Sequence, residues 1–234
     1  MKRQPELLVE ADGIWNADPW PEAWTPEGVI ETLEPLTLEE RRARLWAVVR
    51  RRIGNVTVVM DAPHDPHNAA AILRSCDALG IPRVHLVPRE EAFAVGRTVS
   101  KGAERWIEVV PHRTPELALK ALHDEGFTTI ATHPEGNLTP EDLAQVPRVA
   151  LILGNEHDGI RDALHEGAKD SVRIPMHGFV ESLNVSVAAA ILLHSATRGR
   201  LGDLSDAEQA RLYARSLVRS VPRALAILDA SAAR

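Results

Sequence analysis

From Val56 onward the chain alternates between short β-branched runs and segments with helical spacing, and this alternation limits the fold more than any other feature. "VTVVMD" (56–61), "RVHLVP" (83–88), "WIEVVP" (106–111), "FTTIATH" (127–133), "RVALILG" (148–154) and "SVRIP" (171–175) read as strands. Between them, "NAAAILRSCDALG" closed by Gly80, "PELALKALHDEG" closed by Gly126, a short "EDLAQV" and "IRDALHEGA" read as helices. Strands separated by helices cannot pair as hairpins. They pair through crossovers, which predicts an α/β fold with a mostly parallel sheet and helices on both faces.

The flanks differ in character from this body. Residues 1–36 hold eight acids against Lys2 and Arg3, with Trp15, Trp20 and Trp24 among prolines. They read as an irregular extension tied down by aromatic anchors on the body or a second subunit, with base stacking on RNA as the functional alternative. Residues 37–55 read as a basic helix capped by Thr37 with Glu40 three positions on, and "RRARLWAVVRRR" (41–52) holds six arginines and no acid. The alternating body spans 56–197. A C-terminal helical extension follows over 198–234, its amphipathic helix starting at Ser205. There Arg211, Arg215, Arg219 and Arg223 recur every four residues, a single stripe that Pro222 interrupts. Solvated helix faces account for both arginine groups as well as an RNA footprint does.

Several function classes fall away. A formal net charge of −6 argues against a general nucleic-acid binder, although the local arginine clusters keep confined RNA contact open. The N-terminus lacks the apolar core of a signal peptide, and no apolar run approaches the roughly 18 residues of a membrane span. With a single cysteine, the expectation is a protein of the cytoplasm without disulfides. "GRTVSKG" and "GNEHDG" match neither common phosphate loop, so nucleotide binding through those motifs is disfavoured. His64 and His67 lack a second ligand pair, so no metal is expected. There is no G-x-S-x-G elbow, and Cys76 sits mid-helix beside Leu73 and Leu79 as a packed thiol.

What remains is a set of polar clusters after four strands: "DAPHDPHN", "THPEGN", "GNEHDG" and "HGFVESLN". Ligands of open α/β sheets bind outside the carboxyl ends of strands. Capping needs one polar residue per helix, and these clusters hold more. Asn68, Arg74, Glu156, Ser182 and Asn184 are the candidates. Helix capping by Asn68, and a surface position or salt bridge to Glu156 for Arg74, are the plain structural alternatives. An arginine in so apolar a helix suits contact with an anion through its rigid fork.

These clusters resemble the SpoU/TrmH branch of the SPOUT RNA 2′-O-ribose methyltransferases. "DPHNAAAILRSCDALGI" (65–81), "LILGNEHDGI" (151–160) and "IPMHGFVESLNVSVAAAILLH" (174–194) are similar to its three motifs, in order, over roughly residues 56–197. Within the branch, the tRNA guanosine-18 enzymes are similar also in their arginine-bearing first helix and appended last helix. Two departures stand out: the acidic Trp-containing extension, and Asp61-Ala62 where an acid followed by Asn is common.

The resemblance implies a C-terminal trefoil knot, which generic chain rules would argue against. It implies S-adenosylmethionine as methyl donor, held by Thr132, Gly154, Ile174, Met176 and Leu183. It implies catalysis by Arg74, Asn68, Glu156, Ser182 and Asn184, with Arg74 as 2′-hydroxyl or phosphate anchor and possible base. Phosphate contacts to tRNA are expected from Arg41, Arg44, Arg50, Arg51, Arg52, Arg211 and Arg215. A homodimer with its site at the interface is expected. Competing expectations are a ribosomal RNA or tRNA wobble-position substrate, and a non-catalytic RNA-binding protein of the same fold. No role is implied for Glu181.

Overall fold

The computed structural model describes residues 18–20, 22–88 and 106–232. Trp15 and "GRTVSKG" (96–102) lie outside them. In chain order the elements are α1 (Pro26–Leu33), α2 (Glu39–Val49), β1 (Val56–Asp61), α3 (Pro66–Ala78), β2 (Arg83–Val87) and β3 (Glu108–Pro111). There follow α4 (Pro115–Asp124), β4 (Thr128–Thr132), β5 (Val149–Leu153), α5 (Asp162–Glu166) and β6 (Asp170–Val172). The chain ends with α6 (Val185–Thr197), α7 (Asp206–Ser220) and α8 (Ala224–Ala232). They divide into an α/β unit (54–200) and a helical unit drawn from 17–53 and 201–234.

In the α/β unit the strands form one six-stranded sheet of order β3-β2-β1-β5-β4-β6, with every pairing parallel. All residues of β1 and β5 are buried, as continuous apolar strands covered on both faces must be. On one face Val59, Val87, Ala150 and Ile152 meet Leu119, Leu122 and Leu164 from α4 and α5. Each such leucine contributes about 1.5–3 kcal/mol by leaving water. The strand order reverses between β1 and β5, so the crevice of such a sheet opens at their carboxyl ends. The first turn of α3, which carries Asn68, and the loop carrying Glu156 lie there.

Helix starts follow the local chemistry. Asp65 caps α3 by accepting from the His67 N–H at 2.8 Å, with Pro66 in the first turn, so Asn68 is not the cap. Thr114 caps α4 in front of Pro115. The strand expected over "SVRIP" is the three-residue β6, which starts one residue earlier at Asp170, and "EDLAQV" forms a 3-10 turn over Pro140–Gln145. No helix of the described residues is long and apolar enough to cross a membrane.

The helical unit departs from three expectations. First, the terminal segments fold together rather than as separate extensions. Second, part of the supposedly irregular extension is α1, which Thr25 caps by accepting from the Gly28 N–H at 3.2 Å ahead of Pro26. Third, Thr37 does not cap α2. Its hydroxyl instead donates to the Leu33 carbonyl, closing the end of the preceding turn. The start of α7 is as the sequence predicts, with Ser205 and Glu208 in a capping box. Tyr213 stacks on Trp46 with ring centroids 4.1 Å apart and donates to Glu34 Oε1 at 2.6 Å. Burial, and then that carboxylate, push the phenol's pKa upward.

Candidate active site

Because Asp65 caps α3, the Asn68 side chain is left to bond outside its own helix. Its Nδ2 donates to Glu156 Oε1, and its Oδ1 accepts from Asn184 Nδ2 at 3.0 Å. Asn184 uses its other end as the cap of α6. Its Oδ1 accepts from the Ser186 N–H at 2.8 Å, the Ser186 hydroxyl at 2.6 Å and the Val187 N–H at 3.4 Å. One amide therefore fixes the helix start and ties the third motif to the first. Glu156, Asn68 and Asn184 form a continuous hydrogen-bonded chain drawn from all three motifs.

The Glu156 loop is held from within and from below. Asn155 Oδ1 accepts from the His157 and Asp158 N–H groups, both at 2.8 Å. Gly159 closes the turn at φ +71°, and a Cβ on Gly154 would lie 2.3 Å from the Gly159 carbonyl carbon. Gly154 is glycine because two backbone segments cross there. Beneath the loop, fully buried Asp61 accepts from the Arg161 N–H at 2.7 Å and from its Nε at 2.6 Å. The same guanidinium donates to the Val87 carbonyl at 2.9 Å. Ala62, next to that carboxylate, is held at φ +45°, a conformation in which Asn or Gly is more at ease.

A cleft of about 510 Å³ opens beside this chain of polar groups. It is lined by Thr132, His133 and Pro134 at the end of β4, by residues 172–176, by 181–183, and by Ala188 and Leu192 of α6. Thr132, Ile174, Met176 and Leu183 are four of the five residues expected at the cofactor. Gly154 is not in that lining; it borders a small hollow shared with Asn68 and Glu156. Ser182 also lines the cleft and Asn184 belongs to the hydrogen-bonded chain, so the two features meet through residues 182–184. The size and mixed lining suit a small-molecule cofactor with an apolar ring system and a charged end.

Sequence reasoning does not single out Gly136 beyond its place in "THPEGN". A Cβ there would lie 2.5 Å from the Val172 carbonyl carbon, because the 133–138 loop crosses the end of β6. It equally misses Arg173 on the cleft wall and leaves Glu181 there without a role. Both lie in irregular stretches whose side-chain direction has no sequence period to betray it.

Arg74 stands apart. It is exposed, and among the described residues it makes no hydrogen bond or ion pair, so neither Glu156 nor Asn68 orients it within one chain. The arginines of the helical unit separate into two groups. Arg44, Arg50 and Arg51 are exposed, with the Arg50 guanidinium 5.4 Å from the Trp46 ring centroid. Arg52 and Arg215 are instead buried, at 3% and 5% exposure. Asp18 accepts from Arg211 Nε at 2.8 Å and from Arg215 Nη1 at 3.4 Å, and Arg41 donates to Ser220 Oγ at 3.3 Å. Arg52 and Arg215, both expected at phosphate, are thus drawn into the helical unit. Asp18 of the same unit draws Arg211 and Arg215 of the stripe inward.

The SpoU rRNA Methylase family model matches residues 55–194. A tRNA (guanosine(18)-2′-O)-methyltransferase of Thermus thermophilus is 36% identical over 164 residues, covering 70% of this chain and 84% of that one. Among solved structures, the A. aeolicus TrmH/SpoU tRNA modifying enzyme superposes with a TM-score of 0.70 at 28% identity, covering 79% of this chain and 98% of that one. The SpoU methyltransferase AviRb from Streptomyces viridochromogenes, solved with the cofactor AdoMet, gives a TM-score of 0.55 at 26% identity, covering 61% and 56%. The three motifs that supply Asn68, Glu156 and Asn184 all fall inside the matched span. The chain belongs to the SpoU rRNA Methylase family and is an S-adenosylmethionine-dependent RNA 2′-O-methyltransferase.

Proposed function

We propose that this enzyme methylates the 2′-hydroxyl of guanosine 18 in the D-loop of tRNA. The observation that carries the reading is the Glu156–Asn68–Asn184 chain abutting the cleft through Ser182 and Leu183. S-adenosylmethionine supplies a methyl group already activated on sulfur, so the protein's task is positioning and proton handling. In this reading Thr132, Ile174, Met176 and Leu183 hold the cofactor, and Gly154 acts through the loop it permits. Asn68 and Asn184, locked by their mutual bond, present fixed amides at the reacting ribose. Ser182 offers a hydroxyl between cleft and ribose. Arg74 anchors the phosphate or the 2′-oxygen, since a guanidinium stays protonated unless strongly perturbed.

A tRNA substrate is supported by the named activity of the Thermus relative and by exposed Arg44, Arg50 and Arg51. A homodimer is supported by Val187 and Ile191, one turn apart and exposed on α6, by fully exposed Phe179, and by Arg74 lacking an intrachain partner among the described residues. A trefoil knot is supported by the Arg173 N–H bond to the Leu138 carbonyl at 3.0 Å and the close crossing at Gly136. A cytoplasmic location accords with a tRNA substrate.

The test is transfer of labelled methyl from S-adenosylmethionine to unmodified tRNA, with the product mapped to a ribose. Label at guanosine 18 is expected. Transfer to ribosomal RNA alone overturns the substrate, and no transfer to any RNA overturns the catalytic reading.

A further inference from the structure

Two opposite charges share the wall of the cleft without pairing with each other. Arg173 follows β6 and Glu181 precedes Ser182, and both line the cleft beside the polar Thr132, His133 and Ser182 and the apolar Ile174, Met176 and Leu183. Among the described residues neither side chain makes an ion pair or hydrogen bond. An exposed ion pair between two long side chains nets little, so both charges remain available to a ligand in the cleft. A carboxylate and a guanidinium on one cleft wall that stay apart fit a ligand bearing both charges itself.

S-adenosylmethionine is such a ligand at its amino-acid end, where an α-ammonium and an α-carboxylate share one carbon. We propose that Glu181 receives the α-ammonium and Arg173 the α-carboxylate, so that this pair selects the zwitterionic end of the cofactor. The inference rests on the cofactor reading above and adds the chemistry of its recognition. The two roles differ in geometry. A guanidinium presents paired N–H donors that match a carboxylate's two oxygens, while a carboxylate accepts from an ammonium in any rotation. Both residues are exposed, so water screens the contacts and each is weaker than a buried pair. Glu181 and Arg173 are positioning residues here: they place the sulfonium-bearing chain and take no part in the transfer.

The test is calorimetric binding to the full-length protein without RNA. Wild type is titrated with S-adenosylhomocysteine, with 5′-methylthioadenosine, which lacks the amino-acid end, and with decarboxylated S-adenosylmethionine, which keeps the amine alone. Glu181→Gln is expected to weaken S-adenosylhomocysteine and the decarboxylated ligand by about 5- to 10-fold and leave methylthioadenosine unchanged. Arg173→Gln is expected to weaken S-adenosylhomocysteine similarly and leave the decarboxylated ligand unchanged. Equal loss for all three ligands, or no loss for S-adenosylhomocysteine, overturns the proposal. Failure of wild type to bind any of them overturns the cofactor reading instead. Unchanged thermal midpoints in both variants keep a folding defect out of the comparison.

Discussion

Asn184 Nδ2 donates to Asn68 Oδ1 at 3.0 Å between residues 116 positions apart, while Asn184 Oδ1 caps its own helix. The same amide thus serves stability with its oxygen and the site with its nitrogen, and substitution can separate the two. Asn184→Asp keeps the acceptor and loses the donor. It is expected to hold the thermal midpoint while methyl transfer falls on the order of tenfold or more. Asn184→Ala loses both, with about 1 kcal/mol of stability gone as well. Single-turnover transfer beside thermal melts reads both quantities.

Arg74 offers the complementary case. It is exposed and unbonded among the described residues, so its removal leaves nothing buried behind. Arg74→Ala is expected to change stability by no more than about 0.5 kcal/mol while lowering kcat on the order of 100-fold. Arg74→Lys is expected not to rescue, since an ammonium cannot reproduce a planar fork. Full activity in Arg74→Ala removes this residue from the mechanism.

Asp61 holds the Glu156 loop from below through Arg161. Asp61→Ala leaves a backbone N–H and a guanidinium without their acceptor in a largely buried place. With Arg161 27% exposed, a loss of about 2–4 kcal/mol is expected, at the lower side of fully buried pairs. Urea unfolding measures it. A midpoint within error of wild type means that the loop is held by its own Asn155 turn alone.

His85 gives the α/β unit a pH dependence. Its pKa is lowered to about 3, first by burial and then by the charges of His112 and Arg83, and burial lowers His112 as well. His85 Nδ1 and His112 Nε2 lie 2.8 Å apart, which a doubly protonated pair cannot tolerate. The folded state therefore keeps His85 neutral while the unfolded chain takes up a proton near pH 6.5. Stability is complete above that value and falls as pH drops toward 3, by at most about 1.4 kcal/mol per pH unit from this group. Denaturant midpoints at pH 7.5, 6 and 5 test it, and His85→Gln is expected to flatten the slope. An equal slope in wild type and variant assigns the effect to other groups.

The sheet is legible in the sequence because a parallel sheet writes itself as unbroken apolar runs, as β1 and β5 do. The convergence of Asn68, Glu156 and Asn184 is legible from their places after strands, but the bonds among them are not. Which of Asp65 and Asn68 caps α3 is a choice between two good caps, settled by the Pro66 start. The helix at Pro26 carries its own signal in "TPEG", masked by the tryptophans and prolines around it. Gly136 is demanded by a backbone crossing with Val172, far away in sequence, which no local pattern encodes, whereas Gly154 answers to the tight turn that returns at Gly159 within its own loop.

The arginine stripe of α7 shows the same limit and leads to the last prediction. A four-residue spacing fixes that Arg211 and Arg215 share a face, not which way the face turns, and Asp18 turns it inward. If this unit contacts RNA as proposed, the exposed Arg44, Arg50 and Arg51 are the side chains that carry the contact. Removing one arginine–phosphate interaction should reduce the slope of log affinity against log salt by about 0.7–0.9. Replacing Arg44, Arg50 and Arg51 together by Gln is therefore expected to reduce the slope for tRNA by about 2–3 units, with the fold intact. Arg215→Gln is expected to lower the melting midpoint and leave the slope unchanged, because its charge is already engaged by Asp18. If the Arg215 variant changes the slope and the triple variant does not, the binding face of this unit is the opposite one.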